Sequence, residues 1–148
     1  MSEEQNKELV RRAIAAEDRD DHDEMLELLG PEWEDQALWH APHHLTDSGA
    51  PLQERFQQAL DQQNRIFAQP PQTTIDEMIA AGDRVITVAT AHATHRSGTP
   101  LTWRLVRIDR IANGKIAETH SMWDRLGFWQ QLGVVPETSD LMARSAAM

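Results

Sequence analysis

Residues 101–123, Leu-Thr-Trp-Arg-Leu-Val-Arg-Ile-Asp-Arg-Ile-Ala-Asn-Gly-Lys-Ile-Ala-Glu-Thr-His-Ser-Met-Trp, decide the fold of this chain. The stretches 101–111 and 115–123 contain many β-branched and aromatic residues, which predicts two strands. Asn113-Gly114 between them is typical of a two-residue type I′ turn. The sequence therefore predicts an antiparallel β-hairpin in the last third of the chain.

The first half of the chain carries helical patterns. Ser2 and Gln5 have the spacing of a capping box, and apolar residues at helical spacing follow to about Glu17. A short second helix is predicted to stop at residues 30–31, Gly-Pro, and a third to run from 51 to 70 between prolines. These signals predict three helices before the first strand.

The second half reads as strands, with two more predicted at about 75–79 and 85–91 before the hairpin. A last short helix is expected after the hairpin, at 125–132. Helices followed by an antiparallel sheet indicate an α+β fold. We expect one domain over residues 1–136, a curved, cone-shaped sheet wrapped around the N-terminal helices with a central pocket, and a loose tail over 137–148.

Composition excludes several classes of protein. The chain has 148 residues and a formal net charge of −10, so phosphate backbones would be repelled and nucleic-acid binding is not expected. No stretch approaches the ~18 apolar residues of a membrane span. The polar start, without a signal-peptide pattern, and the absence of cysteine favour a cytoplasmic protein without disulfides.

No pattern for a cofactor or a metal is found. The sequence lacks a glycine-rich phosphate loop, a Gly-x-Ser-x-Gly elbow and a His-Glu-x-x-His motif. His92 and His95 are three residues apart on a predicted strand, so they would face opposite sides and would not share one ion. We therefore expect a protein that works without cofactor or metal.

Several motifs resemble the SnoaL-like polyketide cyclase family of the nuclear-transport-factor-2-like superfamily. The resemblance spans roughly residues 3–136, and the segments that carry it are 78–85 (Met-Ile-Ala-Ala-Gly-Asp-Arg-Val), 93–95 (Ala-Thr-His), 110–118, 124–127 (Asp-Arg-Leu-Gly) and 130–134 (Gln-Gln-Leu-Gly-Val). The chain departs from the family at Ala93, where glycine is frequent, and at His120, where tryptophan is frequent. The second departure would place an additional titratable group in the pocket.

The resemblance implies a cone-shaped fold and an activity. The expected function is a cofactor-independent acid–base enzyme, a cyclase, isomerase or dehydratase, acting on an aromatic or polycyclic carbonyl compound such as a polyketide intermediate. It also implies a homodimer formed through the outer face of the sheet. Two alternatives stay open on the same fold: a non-catalytic module that binds a small molecule or a partner, and an epoxide hydrolase.

The hairpin predicts which side chains share a face. If Ala112 pairs with Lys115 and the register stays constant, His120 lies opposite Arg107. Side chains alternate along a strand, so one face would carry both of these residues. The same face would also hold Trp103, Leu105, Asp109, Ile116, Glu118, Met122 and Asp124. Such a mixture of apolar and charged groups favours a pocket wall, with Trp103, Leu105, Met122 and Arg107 as substrate-binding residues.

Asp124 is the first candidate for the general acid–base, since it matches the aspartate that follows the last strand in the family. Burial near Trp103 would raise its pKa toward a useful range. Because Asp124 also precedes a predicted helix, a simple N-cap is the alternative. His120 is a catalytic candidate that can polarise a carbonyl, and pairing with Glu118, Asp109 or the backbone is its alternative role. Arg107 can stabilise an enolate or bind a carboxylate, or pair with Glu118 or Asp109.

Residues 39–44, Trp-His-Ala-Pro-His-His, form a second histidine-containing segment. The family tends to have a histidine here near the pocket mouth, which makes His40 a catalytic candidate. Trp39 and His43 are candidates for substrate binding, with solvent exposure as the alternative. One of His92 and His95 is also expected at the pocket, and the resemblance favours His95.

Overall fold

The computed structural model of the chain describes residues 1–37 and 50–148. Ten elements follow one another in this part of the chain: α1 (Glu3–Asp18), α2 (His22–Leu28), β1 (Leu29–Ala37), α3 (Leu52–Ile66), β2 (Gln72–Ala81), β3 (Arg84–Thr94), β4 (Pro100–Ala112), β5 (Lys115–Trp123), α4 (Arg125–Gln131) and α5 (Thr138–Ala146). The α+β class is confirmed.

The strands form one five-stranded sheet in the order β1-β5-β4-β3-β2. Strands β2 to β5 are antiparallel neighbours, whereas β1 runs parallel to β5 at the edge. The sequence did not predict β1, because Gly30 and Pro31 read as a helix stop. Both residues lie within this strand, and an edge strand tolerates a proline that cannot donate to the ladder.

The capping box of α1 is confirmed. The backbone N–H of Gln5 donates to Ser2 Oγ at 3.1 Å, and the N–H of Ser2 donates to Gln5 Oε1 at 2.8 Å. The apolar residues Leu9, Val10 and Ala13 are buried on one side of the helix, which packs mainly against β2. Burial of this amphipathic face holds α1 across the sheet.

The hairpin turn has the predicted type, with positive φ at both Asn113 (54°) and Gly114 (72°). The predicted register is wrong beyond the second pair. Ile111 faces Ile116, but Arg110 faces Glu118, so Ala117 is an additional residue in β5. It forms a β-bulge, which has two residues on one strand opposite one on the other.

The bulge reverses which side chains of β5 face inward. Asp109 pairs with Thr119, Arg107 with Ser121 and Leu105 with Trp123. The concave, inner face of the sheet therefore carries these residues of β5, together with the predicted Trp103, Leu105, Arg107 and Asp109 of β4. The predicted inward positions of Glu118, His120 and Met122 are wrong, since all three lie on the outer face, as a shift by one residue requires.

Two apolar clusters lie on the inner face. The basal cluster lies toward the hairpin turns and joins the helices to the sheet; its buried members are Leu9, Val10, Ala13, Ile14, Leu28, Leu29, Trp33, Phe56, Leu60, Val85, Ile111 and Ile116. The aromatic cluster lies toward α4 and contains buried Phe67, Ala91, Leu101, Trp103 and Phe128. In the aromatic cluster, Phe67 stacks on Trp103 at 5.7 Å between ring centroids, and Phe128 meets Trp103 edge-on at 5.3 Å.

Residues 137–148, which were predicted as a loose tail, contain α5, and none of the residues of this helix is buried. In the described parts of the chain, no helix is long and apolar enough to span a membrane. The cytoplasmic location stays a prediction.

Candidate active site

A polar layer separates the two apolar clusters on the inner face. It consists of Thr87 on β3, Arg107 and Asp109 on β4, Thr119 on β5 and Glu17 of α1. The four strand residues are buried, with Thr87 and Asp109 at 0% exposure. Buried charge between apolar surfaces is uncommon unless it is paired or functional.

Arg107 lies at the centre of this layer. Its Nε donates to Asp109 Oδ2 at 2.7 Å, and its Nη1 donates to both carboxylate oxygens of Glu17, at 2.9 and 3.1 Å. Burial alone would lower the pKa of the guanidinium, but the charges of Asp109 and Glu17 raise the pKa above its ordinary value. Arg107 is therefore a fixed cation at every accessible pH.

Asp109 is held on both oxygens. Its Oδ1 accepts a hydrogen bond from Thr119 Oγ at 2.8 Å, while Oδ2 binds Arg107. Thr119 Oγ in turn accepts from Trp33 Nε1 at 3.1 Å. The chain Trp33–Thr119–Asp109–Arg107 fixes the carboxylate and, through it, the orientation of the guanidinium.

Glu17 is the most accessible member of the layer. It lies in the last turn of α1, and its side chain is 40% exposed, against 9% for Arg107. Glu17 is therefore the charged side chain of this layer that a ligand can approach from solvent. Glu17 could not be identified as a site residue from the sequence, because its contact with Arg107 joins positions 90 apart.

Thr87 was also missed. It pairs with Arg107 across β3 and β4, and its buried Oγ has no hydrogen-bond partner among the described residues. An unsatisfied hydroxyl beside a guanidinium is a polar group that water or a ligand can satisfy.

The structure does not bring His120 to this layer. On the outer face, its Nε2 lies 3.3 Å from Glu118 Oε2, and Glu118 also accepts from Arg110 at 3.1 Å. The hydrogen bond from Arg110, more than that from His120, lowers the pKa of Glu118. Pairing with Glu118 is one of the alternative roles that the sequence left open for His120. Met122 lies on the same outer face and is 44% exposed.

Asp124 has the geometry of a helix cap. It precedes α4, its Oδ1 accepts from the backbone N–H of Gly127 at 2.9 Å, and it is exposed. It follows Ser121, the partner of Arg107, by three residues, which is roughly 10 Å along an extended chain. The expected burial of Asp124 is therefore wrong, and its catalytic role stays a prediction.

The other predicted binding residues fall into three groups. Trp103 and Leu105 lie on the inner face, next to Arg107 along β4. His92 is exposed, with Nδ1 3.1 Å from Thr102 Oγ1, and His95 has Nδ1 2.8 Å from Ser97 Oγ. Neither histidine approaches the polar layer, because His92 is five residues and His95 eight residues beyond Thr87, roughly 16 and 26 Å along a strand. Trp39, His40 and His43 lie outside the described residues.

A shallow depression of about 170 Å³ lies at the end of the sheet that holds the hairpin turns. Its walls are mainly turn residues and the N-terminus: Met1, Asn6, Gly82, Asp83, Ile111, Asn113 and Gly114. It contains no side chain of the polar layer. We therefore place the candidate site at the buried charges and not at this depression. Within the described residues, no group of three or more acidic or histidine side chains is arranged to hold a metal ion.

A family model for the SnoaL-like domain matches residues 10–119, which include Arg107, Asp109, Thr119 and Glu17. The chain belongs to the SnoaL-like domain family. No curated protein sequence matches it significantly.

Solved structures share the fold of this SnoaL-like domain. AclR from Streptomyces galilaeus, a proposed hydroxylase, is 19% identical with a TM-score of 0.75, and the match covers 99% of this chain and 92% of AclR. IdmH from Streptomyces antibioticus, a proposed polyketide cyclase, is 21% identical with a TM-score of 0.71, covering 87% and 99%. TerC co-crystallised with polyporic acid is 18% identical with a TM-score of 0.73, covering 87% and 98%. At these identities the likeness shows the fold alone.

Proposed function

We propose that this SnoaL-like domain is a cofactor-independent acid–base enzyme that acts on an aromatic or polycyclic carbonyl compound, such as a polyketide intermediate. The observation that carries the proposal is Arg107, a buried guanidinium on the inner face between two apolar clusters. Apolar walls suit a planar ring system, and a fixed cation among them suits an oxygen on which negative charge develops. A proposed polyketide cyclase and a protein crystallised with polyporic acid have the same fold.

Proton transfer next to a carbonyl group is the reaction that this layer can promote. Glu17 removes a proton from the carbon beside the carbonyl, and the electron pair of the C–H bond moves to the oxygen. Arg107 stabilises the resulting enolate oxygen. The enolate carbon then attacks an electrophilic carbon of the same molecule, or a carbon conjugated with the enolate takes back the proton that Glu17 removed. In the first case Glu17 returns its proton to the new alkoxide, so that protons balance.

Glu17 suits the role of base better than Asp109 does. Asp109 has no exposed surface, and both of its oxygens accept hydrogen bonds within the protein. It is a positioning residue, which orients Arg107 and balances its charge. Glu17 is partly exposed and contacts Arg107 directly, so a proton can reach it from a substrate. Asp124, His120 and His40 stay as predicted alternatives. Of these, the structure describes Asp124 and His120, and neither of them contacts Arg107.

The proposal can be tested without knowledge of the natural substrate. We would measure the exchange of the C1 protons of 2-tetralone, a bicyclic ketone, into deuterium oxide by proton NMR. The wild-type protein should accelerate exchange, and E17Q should reduce the acceleration by about 100-fold, the typical contribution of a general base. R107M should reduce it similarly, because a charge-stabilising donor is worth about 100-fold or more.

The matched control is E8Q. Glu8 also lies on α1 and pairs with an arginine, Arg11, at 3.4 Å, but its side chain is 63% exposed and outside the polar layer. E8Q should exchange 2-tetralone protons at the wild-type rate. Equal rates for E17Q and the wild type, with D124N inactive, would move the base to Asp124.

A second candidate is a small-molecule-binding module without catalysis. It is favoured by the complete pairing of Asp109 and by the exposed, capping position of Asp124, which together leave Glu17 as the one accessible carboxylate of the described layer. Such a module would bind a planar ligand with the same Arg107 dependence and would not accelerate proton exchange in any variant.

We also propose that the protein is a homodimer that uses the outer face of its sheet. Apolar side chains occupy two neighbouring rows there: Ile79, Ile86 and Ile108 in one, and Val88, Val106 and Met122 in the other. Ile79 is 47% exposed and Met122 44%, and exposed apolar patches of this kind mark interfaces.

Sedimentation velocity should give a dimer for the wild type and a monomer for I108K, whereas T74K, on the same face but outside the rows, should stay dimeric. A monomeric wild-type protein at about 100 μM would contradict this proposal.

A further inference from the structure

The two carboxylates that bind Arg107 differ in their access to solvent. Asp109 is fully buried and anchored by Thr119, whereas the side chain of Glu17 is 40% exposed. Asp109 binds Nε at 2.7 Å, and Glu17 binds Nη1 with both of its oxygens. Asp109 is therefore a permanent counter-ion, and Glu17 is one that can be exchanged.

The charge of the layer limits what can bind beside it. With one arginine and two carboxylates, the three charged side chains carry a net charge of −1. A third anionic group placed at Arg107 would face two carboxylates at short range, which is unfavourable in a partly desolvated site. An anionic ligand can therefore approach the guanidinium only if one carboxylate leaves, and Glu17 is the one free to do so.

We infer that an anionic oxygen of the substrate, from a carboxylate or an ionised phenol on an aromatic ring, displaces Glu17 from Arg107. This inference rests on the proposed function and specifies its substrate class. The Glu17 carboxylate occupies the place of the ligand in the free protein. When it is displaced, it stays on α1 beside the bound molecule, where it is available as the base. Displacement would therefore favour proton removal from a substrate that carries an anionic group over proton removal from a neutral ketone such as 2-tetralone.

The neighbours of Arg107 indicate what the anionic group is attached to. Leu105 and Trp103 follow on the same face of β4, at roughly 6.7 and 13 Å along the strand. Trp103 stacks with Phe67 in the aromatic cluster, and both are apolar. A ligand that places one anionic oxygen at Arg107 therefore has its ring over Leu105 and toward the aromatic cluster.

The test compares two ligands of nearly the same shape and different charge, 2-naphthoate and 2-naphthamide, by isothermal titration calorimetry at pH 7. The wild-type protein should bind 2-naphthoate more tightly than 2-naphthamide. E17Q removes the competing charge, so it should bind 2-naphthoate about tenfold more tightly than the wild type does, which corresponds to ~1.4 kcal/mol. Its affinity for 2-naphthamide should stay the same.

Two variants separate displacement from a general charge effect. E8Q removes the same charge from the same helix, and its affinity for 2-naphthoate should equal that of the wild type. R107M should lose the preference for 2-naphthoate over 2-naphthamide. Three results would each overturn the inference. In the first, E17Q and E8Q gain the same affinity for 2-naphthoate; in the second, E17Q binds 2-naphthoate more weakly than the wild type does. In the third, neither the wild type nor E17Q binds 2-naphthoate measurably.

A direct readout does not depend on any substitution. In the wild-type protein, the Nε–H signal of Arg107 and the carboxyl carbon of Glu17 should both shift in NMR spectra when 2-naphthoate is added, and not with 2-naphthamide. An unmoved Glu17 carbon with bound 2-naphthoate would overturn displacement. The proposed function would survive that result if E17Q still slowed proton exchange in 2-tetralone, so the two ideas fail separately.

Discussion

Trp33 Nε1 donates a hydrogen bond to Thr119 Oγ1 at 3.1 Å, which joins the edge strand β1 to β5 within the interior. Thr119 also fixes the position of Asp109, because its hydroxyl donates a hydrogen bond to Asp109 Oδ1 at 2.8 Å. One threonine hydroxyl thus satisfies a buried indole and a buried carboxylate. The polar layer depends on this hydroxyl for its geometry.

Replacement of Thr119 by valine should destabilise the protein by about 2 kcal/mol, since it leaves the Trp33 donor and one oxygen of Asp109 without partners. Urea unfolding followed by circular dichroism measures this loss. T119S retains the hydroxyl and should recover most of the stability. If T119V and T119S were equally stable, the hydrogen bonds of Thr119 would contribute nothing to the fold.

Deletion of Ala117 should leave folding cooperative. Without Ala117, the pairs Ile111–Ile116 and Arg110–Glu118 become consecutive in a regular ladder. Glu118, His120 and Met122 then stay on the outer face, and Thr119 and Ser121 stay on the inner face. The measurement is the thermal unfolding transition, and deletion of Ala147, an exposed residue after α5, is the matched control. A deletion variant without a cooperative transition would show that the bulge itself, and not only the strand pairing around it, is required for the fold.

The bulge at Ala117 separates the features of the fold that the sequence predicts from those that it does not. The turn at Asn113-Gly114 and the start of α1 at Ser2 could be predicted, because each depends on residues within one turn of the chain. The bulge at Ala117 could not, since an alanine in a bulge has no local pattern that distinguishes it from one in a regular strand. Its consequence was large: His120 and Met122 were assigned to the wrong face.

The candidate site was predictable only in part. Arg107 and Asp109 share a face because they are two residues apart on one strand, and their pairing was among the alternatives considered. Glu17 could not be assigned, because its contact with Arg107 depends on how α1 crosses the sheet. The role of Trp33 could not be assigned either, because its strand β1 contains Gly30 and Pro31, which read as a helix stop.

Stability should depend on pH through Asp18. Burial raises the pKa of its carboxyl, and hydrogen bonds from the backbone and side chain of Thr73 oppose the rise. Since the folded-state pKa exceeds the unfolded one, the folded protein binds this proton more tightly. The stabilisation is complete below the ordinary value of 3.8 and is lost as the pH rises through the raised pKa.

The variant D18N removes this titration. The free energy of unfolding of D18N relative to wild type should therefore increase between about pH 3.5 and 7. Urea unfolding at a series of pH values measures it, with D140N on the exposed helix α5 as the control. A difference that shrinks with rising pH would mean that Asp18 is stabilised as an anion in the folded protein.

Substitutions of Asp124 can separate its role as a helix cap from a role in catalysis. Its Oδ1 caps α4 through the N–H of Gly127 at 2.9 Å, and serine caps a helix about as well as aspartate does, whereas alanine costs about 1 kcal/mol. D124S should therefore keep the stability of the wild type and its rate of 2-tetralone proton exchange, while D124A should lose about 1 kcal/mol of stability. Serine lacks a carboxylate that can accept the proton. A stable D124S protein without exchange activity would assign the base to Asp124 and leave Glu17 as a ligand of Arg107 alone.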